Sequence, residues 1–306
     1  MVSVLTAGHI NWDVTLRVDR LPAPDGEAAI RSQRQSGGGS AANVAVALSA
    51  LEVDARLIGS VADDTNGLAA RRDLEDAGIA LDGVLEVTGG ETAVKYLLVD
   101  DSGEVSVLGT DGVNEAVRPS DIDPAMIRAV DHVHLTSQDP TTAAYIASVA
   151  SEAGVPVSFD PGRRIGDREY GETIELADIV FVTNREWQAL TDGEPLPAGC
   201  TVVIKYGPDG AEVRTAGSGA GATFSHPGFD VQSIDTTGAG DAFAAGFLES
   251  MLLEASGSSL AGEGDPAVLR RALERANACG ALAASHHGPQ PVPSQSTLEA
   301  FLEKRG

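Results

Sequence analysis

Hydrophobic and polar positions follow two different rhythms along the chain. Short apolar runs, for example residues 2–7 and 201–206, are typical of strands that are buried on both faces of a parallel sheet. Longer segments with helical spacing lie between these runs, and some of them end at a glycine such as Gly78 or Gly154. The alternation predicts an α/β fold in which helices cover both faces of a central, mostly parallel sheet.

This pattern also gives approximate bounds for the main elements. The predicted strands are 2–7, 55–59, 155–159, 178–183 and 201–206. The predicted helices are 40–51, 67–77, 141–153, 184–190, 239–254, 266–287 and 296–304. We expect these elements to form a single domain over residues 1–306.

Two stretches break the rhythm, because their side chains alternate with a period of two residues. Residues 14–36 and 92–110 have this pattern, and residues 100–103 interrupt the second stretch as a hairpin turn would. A few strands of this kind, inserted into an α/β core, commonly cover a site. We therefore predict a small β-strand lid drawn from about residues 12–36 and 92–112.

The charge of the chain narrows the range of functions. The 306 residues include 21 Lys+Arg and 45 Asp+Glu, which gives a formal net charge of −24. A field of this sign repels phosphate backbones and anionic membrane surfaces, so we expect no nucleic-acid partner and no membrane partner. Lys occurs only at Lys95, Lys205 and Lys304, and this composition favours a halophilic protein.

The sequence contains no pattern typical of a membrane span, a signal peptide or a cysteine-based site. No apolar run reaches the ~18 residues that a membrane span requires, and the N-terminus does not resemble a signal peptide. These observations favour a cytoplasmic protein. Cys200 and Cys279 form neither a zinc pattern nor a disulfide framework.

The strongest chemical signal is the segment 235–241, which reads DTTGAGD and leads directly into a predicted helix. Small residues at a helix N-terminus let backbone N–H groups approach an anion, and the helix dipole adds partial positive charge there. Asp241 would lie in the first turn, beside that anion. A carboxylate is unsuited to binding a phosphate, but it suits a base that takes a proton from an attacking hydroxyl.

A second glycine-rich segment, 37–43, reads GGGSAAN. It differs from a dinucleotide-binding fingerprint, because the preceding residues 31–36 are polar and do not form a buried strand. The GxxxxGK[ST] pattern of P-loop proteins is absent from the sequence. Both of these nucleotide-binding loops are therefore disfavoured.

Together, the two segments resemble the two signature regions of the ribokinase-like (PfkB) family of carbohydrate and nucleoside kinases, in the same order. Residues 8–13, 205–211 and 276–288 are similar to the family's first strand, its turn on the nucleotide side, and its helix and loop beside the adenine. The resemblance covers essentially the whole chain. It implies a ribokinase-like fold and an ATP-dependent kinase that uses Mg²⁺ and transfers the γ-phosphoryl group to a primary hydroxyl of a sugar or nucleoside.

The resemblance also implies roles for individual residues. Asp241 is the expected catalytic base, and the backbone N–H groups of Gly238, Ala239 and Gly240 are the expected anion hole. The expected acceptor-binding residues are Asn11, Asp13, Gly38, Gly39, Asn43 and Gln138. The expected nucleotide-binding residues are Lys205, Gly207, Gly210, Asn277 and Gly288. A homodimer formed through the lid is also implied.

Two metal sites follow from the same resemblance. Asp235 and Thr237 match positions at which some members bind a monovalent cation such as K⁺. The family usually carries Asn-x-x-Glu near Mg²⁺ and its waters, whereas here Asn184 and Glu186 are only two positions apart. We expect both residues near the metal; the alternative is an N-cap Asn with a first-turn Glu that stabilises the helix dipole.

The acceptor is left open by the sequence. Segments 37–43 and 158–162, together with Asp139-Pro140, look most like archaeal-type nucleoside kinases of the family. Ribose or a similar free sugar is the second candidate, and a keto-deoxy acid, as in 2-keto-3-deoxygluconate kinases, or a sugar phosphate is the third. A non-catalytic sugar- or nucleotide-binding protein on the same fold is a further alternative, because the spacing to Glu186 is altered.

Overall fold

The computed structural model describes residues 2–101, 105–190, 199–215, 221–254, 265–285 and 293–305. Its strands, numbered in chain order, are β1 (Ser3–Ala7), β2 (Asn11–Val18), β3 (Ile30–Gly38), β4 (Asp54–Ala62), β5 (Val84–Val87), β6 (Val94–Val99), β7 (Val105–Gly109), β8 (His132–Thr136), β9 (Val157–Asp160), β10 (Ile179–Thr183), β11 (Thr201–Lys205), β12 (Ala211–Arg214) and β13 (Thr223–His226). Its helices are α1 (Ser40–Ala50), α2 (Thr65–Asp76), α3 (Pro124–Arg128), α4 (Pro140–Glu152), α5 (Gly171–Leu176), α6 (Asn184–Leu190), α7 (Ala239–Glu254), α8 (Pro266–Ala284) and α9 (Gln295–Glu303).

The main sheet has the strand order β13-β12-β11-β10-β9-β8-β1-β4-β5. Strands β11, β10, β9, β8, β1, β4 and β5 pair in parallel. At the other edge, β12 pairs antiparallel with β11, and β13 pairs antiparallel with β12. The parallel strands are almost fully buried, which explains their continuous apolar sequence. Their carboxyl ends meet at one edge of the sheet, which is where open α/β sheets bind ligands.

The lid is a separate sheet of four strands with the order β3-β2-β6-β7. It consists of two antiparallel pairs, β2–β3 and β6–β7, which are joined by the parallel pairing of β2 with β6. The pairing sets Asp13 beside Lys95. The four strands lie within the two stretches of period-2 sequence, apart from the start of β2 and the last residues of β3.

Two apolar cores pack on the two faces of the main sheet. One contains side chains from α1, α7 and α8, and the other contains side chains from α4 and the opposite face of the same strands. Phe181 and Phe247 meet edge to face in the first core, as Phe159 and Tyr170 do in the second. Neighbouring strand residues therefore supply opposite cores, as the two-layer pattern predicts.

The fold confirms the expected α/β architecture and corrects its details. The sequence pattern did not indicate β5, β8, β12 and β13, and it did not indicate the short helices α3 and α5. Helix α8 ends at Ala284, and residues 286–287, which the predicted helix included, lie outside the described residues. Both cysteines are buried and free.

Candidate active site

The first turns of two helices bring the candidate catalytic residues together. Asn43 lies in the first turn of α1 and Asp241 in the first turn of α7. The Asn43 Nδ2 atom donates a hydrogen bond to Asp241 Oδ2 at 2.8 Å. The bond engages Oδ2, one of the two carboxylate oxygens of Asp241. The two glycine-rich segments therefore meet at one point.

The environment of Asp241 favours its protonated form. Burial is the main cause of a pKa raised from 3.8 to about 7, and the nearby Asp160 raises it further. The hydrogen bond from Asn43 and the charge of Lys205 act in the opposite direction. A carboxyl group with a pKa near the working pH suits general-base chemistry.

The backbone before α7 forms the expected anion hole only in part. Gly238 has φ 74°, a left-handed conformation that favours glycine, and its carbonyl accepts from Ala242. The Ala239 N–H donates to the Thr236 carbonyl at 3.2 Å, so this group is already engaged. A Cβ atom added at Gly240 would lie 3.7 Å from Lys205 Nζ. The ammonium group therefore lies beside the backbone that would receive the anion.

Lys205 is held in place by Asp160, a residue that the sequence analysis did not assign to the site. Its Nζ atom lies 2.6 Å from Asp160 Oδ2, and both residues end strands of the main sheet. Burial opposes the charge of Lys205, but the carboxylates of Asp160, Glu186 and Asp241 raise its pKa overall. The position of Asp160 at the carboxyl end of a buried strand is the signal that could have found it.

Asp13, an expected acceptor-binding residue, is buried in β2. A Cβ atom on Gly38 would overlap Asp13 Oδ2, and one on Gly39 would overlap the His9 carbonyl oxygen. Both glycines are therefore required by close approach. Burial and the nearby Asp241 raise the pKa of Asp13 to about 7, while Lys95 lowers it.

Candidate ligand-binding oxygens occur on Asp13 and on two asparagines. Asn114, which sequence reasoning missed, donates to Asn11 Oδ1 at 2.7 Å. Asp13 Oδ1, Asn43 Oδ1 and Asn114 Oδ1 are buried and have no hydrogen-bond partner among the described residues. Because buried acceptors without partners are costly, these oxygens are suited to receive hydroxyl groups of a ligand.

Gln138 is fixed by the protein itself. Its side-chain nitrogen donates to the Ala7 carbonyl at 3.1 Å, and its backbone carbonyl accepts from Tyr170 and Arg168. It follows β8 at the carboxyl edge of the sheet. The residue therefore holds the strand ends together as well as lining this region.

The nucleotide-side residues are distributed over two elements. Gly207 and Gly210 have φ 65° and 88° in the turn between β11 and β12, directly after Lys205. Asn277 is turned into its own helix, since its Nδ2 atom donates to the Leu273 carbonyl at 2.7 Å. Gly288 lies outside the described residues.

The whole-chain comparison decides the family. Residues 1–296 match the family of pfkB carbohydrate kinases. The chain belongs to the PfkB family. This PfkB kinase is 60% identical to an ATP-dependent ribose-1-phosphate kinase of Halopiger xanaduensis, over 100% of this chain and 99% of the relative.

More distant relatives show how widely this architecture is used. A nucleoside kinase of Methanothermobacter thermautotrophicus is 27% identical over 81% of this chain and 82% of its own. The structure of Arabidopsis thaliana ribokinase complexed with ribose and ATP superposes with a TM-score of 0.83 at 24% identity, covering 99% of both chains. The likeness to this structure shows that the PfkB kinase has the ribokinase-like fold.

The segment around Glu186 places the glutamate in the first turn of α6, as expected, but its cap is not Asn184. Thr183 and Glu186 form a reciprocal capping box: the Thr183 N–H donates to Glu186 Oε2 at 2.7 Å, and the Glu186 N–H donates to Thr183 Oγ1 at 3.3 Å. The helix cap is therefore Thr183, and Asn184 is an exposed residue of the first turn. Glu186 therefore stands three positions after its capping partner Thr183 and two positions after Asn184.

The described part of the PfkB kinase offers a magnesium ion one carboxylate and no complete set of protein ligands. It contains no group of three or more His, Cys, Asp or Glu residues that could hold a metal. Glu186 uses Oε2 for its cap and has a second carboxylate oxygen. Such a residue fits Mg²⁺ that keeps most of its waters and binds substrate phosphates.

The candidate cation residues lie in a tight loop before α7. Asp235 is buried, and its Oδ1 atom accepts from the Thr237 N–H at 3.0 Å. The backbone N–H of Asp235 donates to the Ala284 carbonyl at the end of α8.

No helix within the described ranges is long and apolar enough to cross a membrane.

Proposed function

We propose that this PfkB kinase transfers the γ-phosphoryl group of ATP to the 5-hydroxyl of ribose 1-phosphate. The similarity to the Halopiger xanaduensis ribose-1-phosphate kinase, which extends over the full chain, carries the proposal. Ribose 1-phosphate retains one primary hydroxyl, and this is the group that a kinase of this family would phosphorylate. The sequence patterns alone favoured a nucleoside, so the acceptor proposed here differs from that first choice.

Asp241 acts as the base in the proposed mechanism. Its Oδ1 atom takes the proton as the acceptor oxygen forms a bond to the γ-phosphorus and the bond from that phosphorus to the bridging oxygen of ADP breaks. Asn43 fixes the orientation of the carboxylate. Asp13 accepts hydrogen bonds from the sugar hydroxyls, and Asn11 forms further hydrogen bonds with them. Together they hold the attacking group in line.

The transferring phosphoryl group is stabilised by the N-terminus of α7. The N–H groups of Gly238 and Gly240 and the ammonium group of Lys205 supply positive potential where its oxygens would lie. Mg²⁺, when bound, neutralises charge on the ATP phosphates, and Glu186 would hold it through water. Asp235 and Thr237 would hold a monovalent cation near the same loop.

The direct test is a panel of acceptors with ATP and Mg²⁺. We expect ADP release with ribose 1-phosphate at a kcat/KM at least 100-fold above the values for ribose, fructose, adenosine and inosine, and a bisphosphate product in phosphorus NMR. A preference for adenosine or inosine would replace the proposal with the nucleoside kinase. Tight binding without turnover of any acceptor would favour the non-catalytic alternative.

We also propose a homodimer through the lid. The large apolar side chains that are exposed in the described residues are concentrated on the lid: Ile30, Tyr96, Val105, Val107 and Leu108. Tyr96 and Leu108 are cross-strand partners on one face of the lid, whereas Val105 and Val107 lie on the other. Exposed apolar side chains gathered on one element are typical of a protein interface. Leu108→Arg, at a position that is 62% exposed, should convert a dimer to a monomer in light scattering. A monomeric wild-type protein would refute the proposal.

A further inference from the structure

Three cationic side chains and a histidine surround the acceptor end of the site. Arg164 and Arg168 come from the loop after β9, and Lys95 comes from the lid strand β6. Asp111 contacts both Lys95 and Arg164, with its Oδ1 atom 3.2 Å from Lys95 Nζ and 2.8 Å from Arg164. These contacts tie the lid to the main body through charged groups.

A second carboxylate completes this group. Glu115 Oε1 lies 2.6 Å from Arg168 and 3.2 Å from His9 Nε2. Hydrogen bonds from His9 and Arg168 hold the pKa of Glu115 at about 2, so it is ionised at neutral pH. We name Lys95, Arg164, Arg168 and His9, with Asp111 and Glu115, the lid-side cation cluster.

The cluster is adjacent to the residues that bind the sugar. Lys95 is the strand neighbour of Asp13, and Asp13 feels the charges of both Lys95 and Asp241. Asp13 is therefore close to both the proposed base and the cluster. Glu115 directly follows Asn114, whose side chain donates to Asn11. A sugar bound at Asp13 with one end toward Asp241 would direct its other end toward the cluster.

The charge of the cluster is unusual for this protein. The chain carries a net charge of −24 and only three lysines, yet two of them, Lys95 and Lys205, lie at the site. Within the cluster, three permanent cations face two carboxylates. The side chain of Arg168 is 16% exposed and that of Arg164 is 38% exposed, whereas that of Asp111 is 59% exposed. The positive groups thus lie deeper than Asp111.

We propose that the lid-side cation cluster binds the phosphate that the acceptor already carries, a proposal that rests on the ribose-1-phosphate kinase function. A phosphate dianion presents three acceptor oxygens, and the planar guanidinium groups of Arg164 and Arg168 match them in a bidentate manner. The ammonium group of Lys95 adds a point charge from the lid. Asp111 and Glu115 hold these donors in position before the phosphate displaces them.

The test compares phosphorylated and unphosphorylated acceptors in Arg164→Gln and Arg168→Gln. Arg164→Gln should raise the KM for ribose 1-phosphate about 10- to 100-fold, as loss of a charge-assisted hydrogen bond does, and leave the KM for ATP and for ribose within twofold. Because Arg168 also donates to the Gln138 carbonyl, Arg168→Gln should raise the KM for ribose 1-phosphate by a similar factor and the KM for ribose by a clearly smaller one. Arg163→Gln, at an exposed neighbour in the same loop, removes the same charge and should change the KM for ribose 1-phosphate less than threefold. Arg168→Lys should recover part of the loss.

The outcomes separate the phosphate site from the function itself. If the wild-type protein does not phosphorylate ribose 1-phosphate, the proposed function fails and the phosphate site fails with it. If it does, but both variants keep the wild-type KM for ribose 1-phosphate, only the phosphate site is refuted. An equal rise for ribose and ribose 1-phosphate would also refute it, since the cluster would then act on the sugar pocket and not on the phosphate. Arg164→Gln, at a more exposed residue, keeps the test valid if Arg168→Gln does not fold.

Discussion

Asn43 donates a hydrogen bond to Asp241 across 198 positions of sequence. The bond joins the first turns of α1 and α7, and these helices also pack against each other within one apolar core. This hydrogen bond lowers the pKa of Asp241, because it stabilises the ionised carboxylate, whereas burial raises that pKa. Asn43 therefore sets both the direction and the proton affinity of the proposed base.

Replacing Asn43 by alanine should shift the pH dependence of the reaction. Without the donor, the pKa of Asp241 rises further, so the acidic limb of kcat/KM should move to higher pH, and kcat at pH 7 should fall about 10-fold. The pH profile of kcat/KM measures this shift. Ser49→Ala, at the far end of α1, should keep the wild-type profile. An unchanged acidic limb in Asn43→Ala would contradict the assignment.

Asp241→Asn should remove turnover and leave nucleotide binding nearly intact. The amide cannot take the proton, and loss of a general base typically costs 10²- to 10⁴-fold in rate. Steady-state kcat and the ATP dissociation constant should be measured on the same preparation. Turnover at the wild-type rate would show that another group is the base.

The same substitution should stabilise the fold at alkaline pH. The pKa of Asp241 is raised from 3.8 to about 7, so between these values the folded protein binds more protons than the unfolded chain. The contribution of protonated Asp241 to the free energy of unfolding is fully present below pH 3.8 and is lost as the pH rises through 7. Asn has no charge to bury, so at pH 8 the variant should be more stable by about 1–3 kcal/mol.

Thermal denaturation at two pH values measures this effect. The Tm of Asp241→Asn should exceed that of the wild type by a few degrees at pH 8, and the difference should shrink at pH 5, where the wild-type carboxyl is mostly protonated. A variant that is equally destabilised at both pH values would contradict the burial of this charge.

Gly38→Ala should weaken acceptor binding through Asp13. The added Cβ would overlap Asp13 Oδ2, so the carboxylate must move from its position beside the sugar. We expect the acceptor KM to rise at least 10-fold while the KM for ATP stays within twofold. Gly37→Ala is the control, because its Cβ would lie 3.3 Å from the side chain of Asp73, outside the site. Equal acceptor KM values in the two variants would remove Asp13 from the acceptor site.

Potassium chloride should strengthen both the fold and the activity into the molar range. A net charge of −24 repels itself and repels ATP, and the Debye length falls from ~10 Å at 0.1 M to ~3 Å at 1 M salt. Tm and kcat/KM should therefore rise between 0.1 and about 2 M KCl. An equal response to NaCl would indicate screening alone, whereas a greater response to KCl would support the cation site at Asp235 and Thr237. Maximal stability at low salt would contradict the prediction.

Local sequence was sufficient for the parts of the site that depend on one segment. The glycines before Asp241 and the alternation of the lid strands follow from short-range chemistry that is written in consecutive residues. The alternative of Asn184 as the helix cap was wrong, although a cap is a local feature, because the register of a helix start depends on where the preceding strand ends. Weakly patterned elements such as β12 and β13 were missed because a short antiparallel edge has little periodicity.

The sequence by itself determined the α/β class, the family and the identity of the proposed base. Only the tertiary structure placed Asn43 on Asp241, Lys205 on Asp160 and Arg168 on Glu115. The physical reason is that each of these pairs joins distant elements, so its geometry depends on sheet register and helix packing. The charge of each residue is visible in the sequence, but the field that it helps to create depends on which neighbours the fold brings within a few ångströms.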